Sequence, residues 1–286
     1  GPRRRASPDE EALGEAGEDT APEPMEPLRT SPLGELWGSL GASWVEFNRC
    51  VLPSTFPTPI EDAGRLQGAT LDAYRHTREA ASLFDISYKV GLRVTGADRE
   101  FVADQFLTCN LRAMRSGDVQ YACVLDSKGY ILDDAFVYLT GDSVEILTSG
   151  CHSRQVADYL GQYVIYMRRS GADVAFGESP CTVALAVQGP RSAEALTRAL
   201  RGLAAGPDPL RLEATDSEGL SLAPQVLEAM PYMSFLELRG RGNSSGAAAV
   251  VLRAGSTGED GFEILAPPGS DGGGGALQRL AEALLA

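Results

Sequence analysis

Histidine is nearly missing from this chain: His76 and His152 are the only two in 286 residues. That leaves no stock from which to build a multi-histidine metal centre. Cysteine is sparse too. Cys50, Cys109, Cys123, Cys151 and Cys181 are widely spread, odd in number and never spaced as C-x-x-C. This argues against a disulfide framework and against structural zinc, and it points to inert reduced thiols. Positive charge is short, with 25 Lys and Arg against 39 Asp and Glu, a net charge of −14. A nucleic-acid surface needs local positive potential, and the one basic cluster, Arg3, Arg4 and Arg5, lies beside an acidic run. No nucleic-acid partner is expected. Nor is a membrane, because no apolar run approaches the roughly 20 residues needed to cross one. The signatures G-x-S-x-G and H-E-x-x-H, the Walker loop and the EF-hand loop do not occur. Residues 240–246 are glycine-rich, but the glycine spacing is wrong for a dinucleotide loop.

What is present is ordinary for a globular protein: 43% hydrophobic and 22% charged residues, enough for one large core or two modest ones. Residues 1–35 are the exception. They are rich in Pro, Glu, Asp, Ala and Gly, and such a segment buries too little to offset its ordering entropy. We expect 1–35 to be a disordered acidic tail and 36–286 to be the folded domain. The tail is too acidic for a good transit peptide, although position 1 is Gly and a targeting signal could precede it.

Hydrophobic period then gives the elements. Alternation predicts strands over 90–95, 121–125, 130–139 and 144–148. A helix is predicted over 98–107, with Asp98 as cap. Val156, Tyr159, Leu160, Tyr163, Val164 and Met167 form one apolar helical stripe. A strand at 183–188, a helix over 193–203, a surface loop over 204–224, and strands at 235–239, 248–253 and 262–265 follow. The strands around 240–246 should form a hairpin. A helix over 277–285 closes the chain. Helices are too few for a doubly wound sheet, so the expected class is α+β with largely antiparallel sheets.

Two stretches interrupt apolar strands with acid. In residues 129–138, Asp133 and Asp134 sit side by side, and alternation sends them to opposite faces. The local sequence is also satisfied by a strand-edge residue with a hydrogen-bonded carboxylate. In residues 253–264, three glycines and three acids make a tight loop, and Glu263 follows between Phe262 and Ile264. An acid inside an apolar strand needs a partner, and a ligand can be one.

These stretches resemble the glycine cleavage T-protein family, the aminomethyltransferases. Its R-x-G-Y-T-G-E-D-G-F-E resembles 253–263, and its G-G-x-I-D-D resembles 128–134. Its R-E-x-x-x-L-F-D-V-S-H-M resembles 78–89, and its A-L-Q-G-P resembles 186–190. The resemblance implies a duplicated ferredoxin-like folate-binding core followed by a C-terminal barrel. It implies transfer of a methylene group from the aminomethyl-lipoyl arm of an H-protein partner to tetrahydrofolate, with release of ammonia in glycine catabolism. Tetrahydrofolate would be a co-substrate, and no metal would be required. Glu263 would bind the pterin, since two parallel N–H donors suit a carboxylate. Asp133 would be catalytic, a fixed charge beside the folate nitrogens that accept the one-carbon unit. Tyr121 would pack against the folate. The location implied is the mitochondrial matrix in a eukaryote and the cytoplasm otherwise. Ser256 departs from the pattern's Tyr, Ser149 from an Asn, and Tyr88-Lys89 from His-Met. The family's A-R-D-x-L-R-L-E-A-G segment and barrel are not found before Ala286, so the chain is expected to be cut short. Two alternatives share the superfamily: an iron–sulfur assembly factor, whose K-G-C-x-x-G-Q-E motif is not found, and a folate-dependent demethylase.

Overall fold

In the computed structural model, residues 27–57, 66–180, 183–205, 212–215, 221–222, 226–240, 249–267 and 275–286 are described. The chain opens with β1 (Arg29–Thr30), α1 (Gly34–Ser39), β2 (Ser43–Phe47), β3 (Cys50–Thr55), α2 (Leu66–Glu79) and β4 (Ser82–Asp85). It continues with β5 (Val90–Thr95), α3 (Arg99–Ala103), β6 (Val119–Leu125), β7 (Ile131–Leu139), β8 (Ser143–Thr148), α4 (Ser153–Arg169) and β9 (Ala175–Glu178). Then come β10 (Val183–Gln188), α5 (Ser192–Ala205), β11 (Leu212–Thr215), β12 (Ser221–Leu222) and α6 (Val226–Ala229). The last elements are β13 (Phe235–Gly240), β14 (Ala249–Leu252), β15 (Gly261–Ala266) and α7 (Gly275–Leu285).

The strands form a five-stranded sheet, β6-β7-β8-β5-β9, and a seven-stranded sheet, β12-β11-β13-β14-β15-β10-β4. The ladders of both are antiparallel, as the expected α+β class requires. A small third sheet, β1-β3-β2, contains one parallel pair.

Both large sheets are covered on two faces, which is why β8 and β15 are buried at every position. One face of the five-stranded sheet packs Leu92, Val137 and Ile146 against Val156, Leu160 and Val164 of α4. One face of the seven-stranded sheet packs Leu185, Val251 and Phe262 against α5, α7 and Trp37 of α1. The remaining faces meet each other through Phe136, Tyr138, Leu147, Ala186, Leu252 and Leu265. The order is therefore helix, sheet, sheet, helix. Leu160, with no exposure, illustrates the energetics: truncation to Ala would cost about 2–5 kcal/mol.

The duplication is visible in the topology. The units β5–α3–β6–β7–β8–α4 and β10–α5–β13–β14–β15–α7 follow the same order, with β11, β12 and α6 inserted in the second. The strand orders superpose as β6-β7-β8-β5-β9 on β13-β14-β15-β10-β4. Only the edge strand differs in origin: β9 follows α4, whereas β4 is drawn from upstream of β5. In each repeat the first strand ends on a glycine with positive φ, Gly96 at 104° and Gly189 at 137°. A Cβ there would lie 2.3 Å from the Asp173 carbonyl oxygen or 2.4 Å from that of Ala80. Both contacts are with the residues leading into the edge strand, so these turns need glycine.

Several expectations change. Residues 27–35, assigned to the disordered tail by composition, carry β1 and the start of α1. Leu33, 1% exposed, anchors them in the core. Residues 1–26 lie outside the described set. The helix expected over 98–107 stops at Ala103, because Leu107 bridges to Val124 and is claimed by β6. The loop expected over 204–224 contains β11 and β12, which extend the sheet beyond β13. β13 and β14 pair as expected, Phe235 against Leu252, while residues 241–248 of the connecting loop lie outside the described set.

Candidate functional site

Glu263 lies in the middle of β15. Its neighbours Phe262 and Ile264 point into the helix-side core. Glu263 therefore points the other way, into the layer between the sheets, beside Leu265 and its ladder partners Ala186 and Leu252. It is 2% exposed. Lys89, in the turn between β4 and β5, reaches it from outside the sheet. The Lys89 ammonium donates to both carboxylate oxygens, at 2.7 Å and 2.8 Å. Lys89 is itself 6% exposed, and its Nζ stands 5.0 Å from the Phe136 ring centroid. Burial pushes the Glu263 carboxyl above its ordinary value, and Lys89 pulls against that shift. Such a pair holds itself in place: removing one partner typically costs about 3–5 kcal/mol, because the other charge is left buried alone.

The two aspartates of β7 part company. Asp133 shares its face with Ala135 and Val137, which belong to the helix-side core. It is buried, and it accepts hydrogen bonds from the Ser149 hydroxyl, from the Asp134 backbone N–H at 2.9 Å and from the His152 N–H at 3.4 Å. These donors tie β7 to the loop that starts α4. Asp134 shares its face with Phe136 and Tyr138, which face the opposite sheet. It is half-buried and accepts a hydrogen bond from the Tyr121 hydroxyl at 2.9 Å, which raises the Tyr121 pKa. Tyr121 is 60% exposed, its ring meeting Phe136 edge-on at 5.9 Å. Phe136 thus has the Lys89 ammonium over its ring and Tyr121 edge-on beside it. Tyr88 completes the surroundings. Its hydroxyl is pushed up by burial, with Glu263, Cys151 and Asp134 adding to the shift.

The structure therefore brings Glu263 and Tyr121 together around Phe136 and places Asp133 apart from them, on the far side of its sheet. Asp134, Lys89 and Phe136 belong to the arrangement, although no site role is assigned to them from sequence. The alternation of 133 and 134 was legible, but the face that meets the second sheet is set by the duplication. Among the described residues no group of three or more His, Cys, Asp or Glu is placed to hold a metal ion. A cavity of about 510 Å³ lies elsewhere, lined by Thr30, Trp44, Val51 and Gln278 among others.

Three motif stretches converge on one loop. Gln188 is 1% exposed. Its amide donates to the Ala254 carbonyl at 3.1 Å and accepts from the Thr257 hydroxyl at 2.9 Å. Gly255 and Gly261 give way to it, since a Cβ at either would fall within 2.6 Å of the amide. Arg253 grips Asp260 at 2.5 Å and 3.0 Å and also donates to the Met230 carbonyl. The Arg253 guanidinium holds the Asp260 carboxyl below its ordinary value. Arg78 donates to Glu259 at 2.7 Å and to the Thr257 carbonyl at 3.0 Å. The loop thus fixes where β15, and with it Glu263, begins.

The fold and this convergence define a class of duplicated, antiparallel α+β protein, and comparison with known proteins gives the family. The family model described as the GCVT N-terminal domain matches residues 33–208, more than half of the chain. The chain belongs to this family, as the four motifs implied. An aminomethyltransferase of Corynebacterium jeikeium is 27% identical over 84% of this chain and 56% of its own length. One from Parafrankia is 30% identical over 84% and 54%. A mitochondrial aminomethyltransferase of Dictyostelium discoideum is 24% identical over 84% and 51%. The crystal structure of the glycine cleavage system aminomethyltransferase T of Bartonella henselae matches with a TM-score of 0.66 and 25% identity. That match covers 90% of this chain and 57% of the Bartonella chain. The chain spans about half the length of the curated relatives it matches.

Proposed function

We propose that this chain is the folate-binding part of an aminomethyltransferase of the glycine cleavage type. In that reaction a methylene group passes from the aminomethylated lipoyl arm of an H-protein to tetrahydrofolate, and ammonia leaves. The observation that carries the reading is the placement of Glu263, Tyr121 and Asp134 in and at the mouth of one layer between the sheets. Glu263 supplies two acceptor oxygens for the paired N–H donors of a pterin edge. Tyr121 supplies an exposed ring at the open end. The fixed negative charge is assigned to Asp134, in place of the Asp133 expected from sequence, because only Asp134 faces this layer. A carboxylate there orients the accepting nitrogen and stabilises positive charge developing beside it. The relatives, one mitochondrial and the others bacterial, support a mitochondrial matrix location in a eukaryote and a cytoplasmic one in a bacterium.

Titration calorimetry with a reduced folate tests the reading. Glu263→Gln puts a donor where an acceptor is needed, and a lost charge-assisted pair weakens binding by roughly ten- to a hundredfold. Equal affinity in the two proteins would remove Glu263 from recognition.

A further inference from the structure

The carboxylate that should receive the pterin already has a partner. Both of its oxygens lie within 2.8 Å of the Lys89 ammonium. A pterin edge needs the same two oxygens, and with Glu263 and Lys89 exposed only 2% and 6% there is no free approach beside them. The pattern that residues 78–89 resemble has Met at this position, a neutral side chain that cannot hold a carboxylate. Resting on the folate reading above, we propose that Lys89 is a resident occupant of Glu263. It must withdraw before a folate binds, and it thereby sets the affinity of the site.

Lysine suits an occupant that leaves. An arginine would lock both oxygens with its planar fork, whereas an ammonium is a point charge on a flexible four-carbon stem. The chain uses lysine only twice among its 25 basic residues, at Lys89 and Lys128. The withdrawn ammonium has somewhere to go. It already stands over the Phe136 ring. Asp134 is the next acid on the same face of β7, two residues before Phe136, at the end where Tyr121 is exposed. Movement along the ring toward that end carries the ammonium into solvent, where water takes its charge, and leaves the Asp134 carboxylate to Tyr121. Glu263 is thereby released.

Calorimetric titration with 5-formyltetrahydrofolate compares the wild-type chain with Lys89→Met. The variant should bind about tenfold more tightly, because no internal competitor remains. Equal or weaker binding by the variant overturns the proposal and leaves the folate reading standing. Binding by neither protein, with circular dichroism showing both folded, sinks the folate reading and the proposal with it. A second measurement uses the wild type alone, in case the variant does not fold. Reductive methylation with ¹³C-formaldehyde can label only Lys89, Lys128 and the amino terminus. Lys89 should resist labelling without ligand and become reactive at saturating 5-formyltetrahydrofolate, with Lys128 unchanged. A Lys89 signal that does not respond to ligand overturns the proposal.

Discussion

The two large sheets carry a glutamate at the same place. Counted back from the turn glycines Gly96 and Gly189, Arg93 of β5 corresponds to Ala186 of β10. Their ladder partners are Glu145 on β8 and Glu263 on β15. Both glutamates face the layer between the sheets, and both are 2% exposed. Their cations differ. Glu145 is held within its own ladder by Arg93 at 2.5 Å and by Ser143 at 2.6 Å. Glu263 has Ala186 and Leu252 as ladder partners, neither with a donor side chain, and its cation arrives from a turn outside the sheet. An acid bonded to its neighbouring strand is a structural tie. An acid whose neighbouring strands offer no side-chain donor takes its cation from outside the sheet, a partner that a ligand can replace. Exchanging Arg for Ala at one ladder position is enough to separate the two cases.

That comparison depends on the repeats being equivalent, which the turn glycines test with the largest effect. Gly96→Ala and Gly189→Ala each force a side chain at positive φ against a backbone carbonyl. Strain and overlap together should cost about 3 kcal/mol or more in each. Urea denaturation reads both losses. If one variant is tolerated and the other is not, the two turns are not equivalent, and aligning Glu145 with Glu263 loses its basis.

The β7 aspartates come next. On the proposed transfer reading, Asp134→Asn should cut methylene transfer about a hundredfold, in the range of a lost fixed charge or proton-transfer group, while stability stays near wild type. Asp133→Asn should lower stability by about 1–2 kcal/mol through its bonds to Ser149 and His152, with transfer largely kept. Transfer assays and melting curves on the two proteins decide. The reverse pattern would mean that the helix-side face of β7, and not the face toward the second sheet, carries the chemistry.

Legibility in the sequence followed contrast. Strands 90–95 and 183–188 were read to the residue, because the first alternates, the second is a near-continuous apolar run, and a glycine follows each. β2, β4 and β9 escaped notice: their residues are exposed or half-buried throughout, so no alternation marks them. The motifs at 186–190 and 253–263 were legible together because they form one object, a loop wrapped around the Gln188 amide. Lys89 was visible as a departure from the family pattern. Its meaning was not, since its partner lies 174 residues away. Choosing between Asp133 and Asp134 is beyond the sequence for a related reason. Alternation separates two faces, but only the packing of the second repeat says which of them is inside.

The smallest expected effect is the most direct test of the two glutamates. In Glu145, Oε1 accepts from both Arg93 and Ser143, and Oε2 is buried with no hydrogen-bond partner among the described residues. Glu145→Gln keeps an acceptor toward Arg93 and removes a buried charge whose second oxygen gains nothing. Arg93, with its side chain 31% exposed, retains water when the charge opposite it is lost. Loss of attraction and relief of desolvation oppose each other, so stability should change by less than about 1 kcal/mol. Folate affinity should not change, because no ligand is asked to meet this carboxylate. In Glu263→Gln the same exchange removes one of two oxygens that a pterin edge needs. Calorimetry on both variants under one condition gives the answer as a ratio. A Glu145→Gln protein that bound reduced folate as weakly as Glu263→Gln would show that the ladder partner does not separate tie from ligand site, and that both ends of the layer take part in binding.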